Sequence, residues 1–220
     1  MARRYVSNRN ESVRMFENDF LEACSHIHPA TIPAVWIPVT IALGYLAMGV
    51  RGLDGYSFVG LFVTGVLLWT LSEYLLHRWV FHYEPKSGWG KKLHFMLHGV
   101  HHDYPNDATR LVMPLGISVP LAAIFYLVFN AIFGAQFSPA VLAGFIVGYI
   151  CYDMIHYATH HLSMRGPVGA WLKKHHLRHH YMDDTYGYGV SSPLWDVVFG
   201  TMRVQSEREA TPIEETAEAN

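Results

Sequence analysis

The chain has 220 residues, 51% of them hydrophobic and only 15% charged, with a formal net charge of −2. Ordinary soluble domains carry about 25% charged residues, so this composition fits a single domain immersed in a membrane and excludes a nucleic-acid-binding protein, which needs a basic surface. Its two cysteines, Cys24 and Cys151, lack paired spacing, so neither a disulfide framework nor a thiolate metal site is expected.

Residues 1–31 mix charges and aromatics without an uninterrupted apolar run, which argues against a cleavable signal peptide and for a cytoplasmic or interfacial segment. A helix is expected over 10–27, capped by Asn10 or Ser12, with Met15, Phe16, Phe20 and Leu21 as its apolar edge. Four runs then approach the roughly 20 apolar residues that cross hydrocarbon, at about 32–50, 56–76, 111–133 and 139–156. Short connections join them as two hairpins. Pro33, Pro38, Pro114 and Pro120 fall near helix starts, where a missing amide donor costs least, and are also able to kink the spans.

Lysine and arginine gather before the first span, in the 77–110 connection and after the fourth span, whereas the two opposite connections carry only Arg51. The positive-inside rule places both termini and the 77–110 segment in the cytoplasm. The membrane domain is expected to end near 203, after a tight loop at Gly187 and Gly189 and an interfacial helix carrying Leu194, Trp195, Val197, Val198 and Phe199. Residues 204–220 are acidic and poor in apolar groups, and are expected to be a disordered tail.

Histidine carries the chemistry. His98, His101 and His102 follow an HxxHH spacing that recurs at His176, His179 and His180, while His156 and His160 form an i,i+4 pair and His77 and His82 a pair five apart. Residues i, i+3 and i+4 share a helix face, so each triplet is expected to converge on one small volume. Neutral imidazole is the commonest metal ligand, and imidazoles without thiols favour iron, zinc or copper over calcium or magnesium. A six-coordinate metal that keeps one position open uses about five nitrogens, so ten point to two metals. The expected fold is therefore an all-α membrane protein: four transmembrane helices in two hairpins beneath a cytoplasmic helical cap that holds a histidine-rich dimetal site.

The words HRWVFH, LHFMLHGVHHDYPNDATRLVMP, GYICYDMIHYATHH and LKKHHLRHHYMDDTYGYGVSSPLWDVVFGT together resemble the fatty acid hydroxylase superfamily of membrane di-iron proteins, over roughly residues 60–203. The flanking words HGVHHDYPND, RLVMP and YGYGVSSPLWDVVFGT resemble the fatty acid 2-hydroxylase branch. The resemblance implies a membrane monooxygenase domain over 32–203 that uses two iron ions and O2 as co-substrate. Its reaction would be hydroxylation at the 2-position of a long acyl chain, in a free fatty acid or a sphingolipid-like amide. It implies His77, His82, His98, His101, His102, His156, His160, His176, His179 and His180 as metal ligands. The ten are not divisible between the metals on sequence, because His77 and His82 cannot share an α-helical face without a break.

Tyr152 and Asp153 are expected beside the metals, Asp153 as acceptor of the distal N–H of His156, and Glu73 in the same role for His77. Arg110 and Tyr188 are candidate head-group contacts; His94 and His161 are candidate orienting groups; His175, His26 and His28 match no ligand position. Many relatives carry a fused haem-binding electron carrier whose HPGG-type signature is missing here, so a separate donor, a reductase with a haem or iron–sulfur carrier, is expected, in a bacterial inner membrane. Poly-imidazole sites can collect zinc in place of iron on purification. Two alternatives stay open: a carotenoid or sterol-type hydroxylase or desaturase of the same superfamily, and a membrane metal transporter or zinc-binding scaffold. A transporter would place ionisable groups near the bilayer midplane, and these spans are nearly free of charge there.

Overall fold

The computed structural model describes residues 5–202; the expected tail at 204–220 lies outside them. The described residues form helices and loops with no strand. A short α1 (Asp19–Ser25) precedes α2 (Thr31–Tyr45), α3 (Gly55–Leu76), α4 (Gly88–His94), α5 (Val100–Asp103), α6 (Leu115–Phe133), α7 (Ser138–His161), α8 (Pro167–Tyr181) and α9 (Leu194–Val198). Three π-helical turns extend these helices: Leu46–Val50 after α2, His77–Phe81 after α3 and Phe95–Gly99 between α4 and α5. Four helices are long and apolar enough to cross a membrane, over Thr31–Val50, Gly55–Phe81, Leu115–Phe133 and Ser138–His161.

Three span ends differ from those read in the sequence. The second span does not stop at 76 but runs through the π turn to Phe81, and the fourth runs past 156 to His161, so His77, His156 and His160 sit on continuous helices. Histidine ends an apolar run without ending a helix, because it offers its backbone as any residue does. The third span starts at Leu115, not 111, because Pro114 is extended (ψ 143°) and Met113 is tied to α7, its N–H donating to Asp153 Oδ2 at 3.3 Å. Pro38 and Pro120 lie inside α2 and α6.

The centre of the stalk is α7, whose first half is buried against α3, α2 and α6. The α3–α7 crossing is close because glycines face backbone. A Cβ at Gly65 would run into the Val141 carbonyl, and one at Gly144 into the Phe62 carbonyl. Small residues of this kind let membrane helices approach where no hydrophobic effect drives them together. Around the contact pack Trp69, Phe145 and Tyr149, with ring centroids 5.1 and 5.2 Å from Trp69. The crossing fixes how far His77, at the end of α3, stands from His156 and His160, at the end of α7. Gly144→Ala is expected to push the helices apart at a cost of about 1–3 kcal/mol and to lower the thermal midpoint in detergent. Gly60→Ala, at a position with open space around it, leaves that midpoint unchanged.

The helix expected over 10–27 is reduced to α1. Asn18 caps it by accepting from the Phe20 and Leu21 amides, and the Met15 and Phe16 amides donate to Glu22 Oε2, both at 2.9 Å, instead of entering a helix. The segment before it lies across α5 and α8: Val6 and Ser7 amides donate to the Asp103 carbonyl, and Tyr181 donates its hydroxyl to Asn8 Oδ1 at 2.7 Å. The expected helix near the end of the domain is present as α9, with Leu194, Val197, Val198 and Phe199 exposed and Trp195 Nε1 donating to Thr70 of α3 at 3.1 Å.

Candidate metal centre

The ten histidines read from the sequence fall into two groups of five. One contains His77, His82, His98, His102 and His179; the other contains His101, His156, His160, His176 and His180. In each group the candidate ligand atoms lie within 4.8 Å of one another. Each HxxHH triplet is thus divided rather than convergent: residues i and i+4 serve one group and residue i+3 the other. On an α-helix, i and i+4 are about 40° apart around the axis, while i+3 and i+4 are about 100° apart. A plane between the two groups therefore separates neighbours such as His101 and His102. The π turn resolves the placement of His77 and His82. The His82 N–H donates to the His77 carbonyl at 3.3 Å, an i→i+5 bond that puts both rings on one face, 5.0 Å apart.

The donor geometry suits metal. In the first group His98 Nε2 lies 3.2 Å from His77 Nε2 and 2.9 Å from His102 Nε2, and His179 Nε2 lies 3.0 Å from His82 Nε2. In the second, His101 Nε2 is 2.9 Å from both His156 and His180, and His160 Nε2 is 2.9 Å from His176. Metal–nitrogen bonds of about 2.0–2.1 Å set neighbouring ligands on perpendicular axes about 3 Å apart. Hydrogen bonding does not account for the convergence, since a neutral imidazole has one N–H. His77 spends its N–H on the Tyr188 carbonyl (Nδ1 to O, 2.6 Å) and His179 on the Tyr186 carbonyl (2.8 Å), so their Nε2 lone pairs face inward, where a cation satisfies the whole group.

Burial favours the uncharged form of the imidazoles outside the spans, the form that can bind a metal. It holds His98, His101, His102, His176 and His180 well below the ordinary histidine value, with neighbouring histidines adding to the effect. His82 is pushed down to about 3 by burial and by His179. In His179 burial also lowers the value, against the bond to Tyr186, which raises it.

The groups expected behind the ligands are arranged otherwise. Asp153 makes no bond to His156: its Oδ2 takes the Met113 amide, and His156 Nδ1 has no hydrogen-bond partner among the described residues. One helical turn below His156, the carboxylate points to the start of α6. Tyr152 stands nearer the centre, its ring 5.6 Å from that of His156 and 5.7 Å from Trp69. Glu73 does not reach His77 either; it accepts from the Val190 and Ser191 amides at 2.7 and 2.8 Å and from the Ser191 hydroxyl.

Arg110 is no head-group contact. Its side chain is 3% exposed and joins the Val13 carbonyl, Glu22 and His26, clamping the N-terminal segment to the cap. Tyr188 packs on the first group, 5.7 Å from His77 and 5.6 Å from His82. His161 stacks on Tyr157, His175 Nε2 lies 3.4 Å from Asp196 Oδ2, His28 accepts from Ala30, and none of these, nor His94, belongs to either group. Sequence reasoning missed Asp196, fully buried and accepting from the Tyr188 and Gly189 amides and from Thr201. Its signal was the lone acid in an otherwise apolar helix.

These features define an integral membrane protein with paired five-imidazole pockets compatible with metal. The family model for fatty acid hydroxylase matches residues 62–201. A dihydroceramide fatty acyl 2-hydroxylase of Arabidopsis thaliana is 40% identical over 195 residues, covering 87% of this chain and 81% of the relative. A ceramide very long chain fatty acid hydroxylase of Saccharomyces cerevisiae is 40% identical, over 86% of this chain and 49% of its own, and a human fatty acid 2-hydroxylase 35% identical, over 86% and 56%. The solved hydroxylase domain of Scs7p superposes with a TM-score of 0.80 at 40% identity, covering 86% of this chain and 71% of that one. The chain belongs to the fatty acid hydroxylase family.

Proposed function

We propose that this protein hydroxylates the 2-position of a long acyl chain, in a fatty acid or a sphingolipid-like amide, using two iron ions, one in each group of five histidines, and O2. The observation that carries the reading is the pairing of two complete five-nitrogen sets with acyl 2-hydroxylase relatives that align over most of the chain. When bound, the two iron ions supply the activation of O2 that an unactivated C–H bond requires. One oxygen atom enters the C–H bond and the other leaves as water, which consumes two electrons and two protons.

The chain's own residues position and exclude. The ten imidazoles would hold the metals, five to each. The Tyr186 and Tyr188 carbonyls fix the tautomers of His179 and His77. Below the site, Trp36, Trp69, Met113, Phe125 and Tyr149 line an apolar crevice of about 30 Å³ between α2, α3, α6 and α7, which an acyl tail would have to widen to enter. Holding the tail while the head group stays at the interface distinguishes one methylene from its chemically similar neighbours.

The basic segments support a cytoplasmic cap. A separate donor would meet it at a cavity of about 210 Å³ lined by Lys174, His175, Arg178 and His179. The transporter alternative loses its support with family membership, and the named relatives act on acyl chains rather than rings. The test is mass spectrometry of hydrolysed fatty acids from an expressing host. New 2-hydroxy acids with wild type but not with His179→Ala are expected, and hydroxylated rings instead would overturn the assignment.

A further inference from the structure

Two buried carboxylates far apart in sequence meet on one strap, residues 186–191, between α8 and α9. Glu73 of α3 takes the Val190 and Ser191 amides and the Ser191 hydroxyl. Asp196 of α9 takes the Tyr188 and Gly189 amides and the Thr201 hydroxyl, which also meets the hydroxyl of Tyr74 at 2.9 Å. Glycines let the strap fold closely: Gly187 has φ +72° and packs on His175, and a Cβ at Gly189 would run into the Ser192 carbonyl and Asp196. Held this way, it presents two carbonyls in one direction, Tyr188 to His77 Nδ1 and Tyr186 to His179 Nδ1. Both histidines belong to the same group of five. In the other group, Nδ1 of His156, His160, His176 and His180 has no acceptor among the described residues.

We infer that Glu73 and Asp196 are positioning residues for one metal only: through the strap they set the affinity of the His77, His82, His98, His102, His179 pocket and leave the second pocket untouched. The inference rests on the proposed two-metal reading. It differs from a general stabilising role because it is one-sided. Partners behind a metal ligand commonly change affinity by about 10–100-fold when lost.

The one-sidedness is measurable with zinc, a redox-silent probe, in competition with a chromophoric chelator. In His101→Ala, where the second pocket is broken, the remaining zinc reports the first pocket; in His102→Ala the remaining zinc reports the second. Adding Glu73→Ala is expected to weaken zinc binding about 10–100-fold in the His101→Ala protein and not in the His102→Ala protein. Glu73→Gln, which keeps an acceptor oxygen for both strap amides, restores most of it. Equal weakening in both backgrounds would reduce Glu73 to a structural residue, and no weakening in either would refute the inference. If Glu73→Ala does not fold, Asp196→Asn must give the same split. Failure of the wild-type protein to take up two zinc ions would instead remove the two-metal reading itself.

Discussion

His101→Ala and His102→Ala, substitutions at adjacent residues, are each expected to abolish hydroxylation, by at least about a hundredfold, and to do so by emptying different pockets. His101 Nε2 is 2.9 Å from His156 and from His180, on the side of α7, whereas His102 Nε2 is 2.9 Å from His98, on the side of the π turn after α3. Each single variant should retain one metal per chain and the double variant none. Activity is expected to fall in all three, because the proposed reaction would need both metals. Metal analysis of the purified proteins checks the partition, and two metals retained in either single variant would sink it.

Acid is the second large effect. His82, His98, His101, His102, His176, His179 and His180 all titrate below the ordinary histidine value in the folded protein. Their unfolded value is about 6.5. Between that pH and the folded value, about 3 for His82, the unfolded chain binds more protons than the folded one, so stability rises with pH across the window. Read downward, the stabilisation is complete above about pH 6.5 and is lost as the pH falls, at about 1.4 kcal/mol per pH unit for each imidazole that stays neutral in the fold. The thermal midpoint of the metal-free protein should drop steeply between pH 6.5 and 5. A midpoint that is flat from pH 6.5 to 5 contradicts the burial of these rings.

The spans and the ten histidines were legible because both are local signals: an apolar run of sufficient length, and repeated spacings of a single residue type. The division of the histidines was not. Spacing places His98, His101 and His102 on one side of a helix, but whether i+3 joins i+4 depends on what stands opposite, and here α7 stands opposite His101 and the π turn opposite His98. The π turn itself has no residue signature in HRWVFH, so the five-residue interval looked like an obstacle when it is the means of alignment. Asp153 and Glu73 were found by their distance along the helix from a ligand. Their true partners are backbone amides, of Met113 and of the 190–191 strap, which no side-chain pattern reveals. The segment at 10–18 looked helical because Met15 and Phe16 are apolar, but Glu22 claims their amides.

The interleaving of the triplets also bears on how the molecule is made. Both pockets take members from 98–102 and from 176–180, so neither is whole until synthesis has passed His180, and the brace on His77 waits further for Asp196. A nascent chain emerging at the membrane therefore offers incoming metal only partial sets of donors. On the two-metal reading, loading would belong to the finished polypeptide, since a truncation between α7 and α8 leaves four of the five donors in one pocket and three of the five in the other.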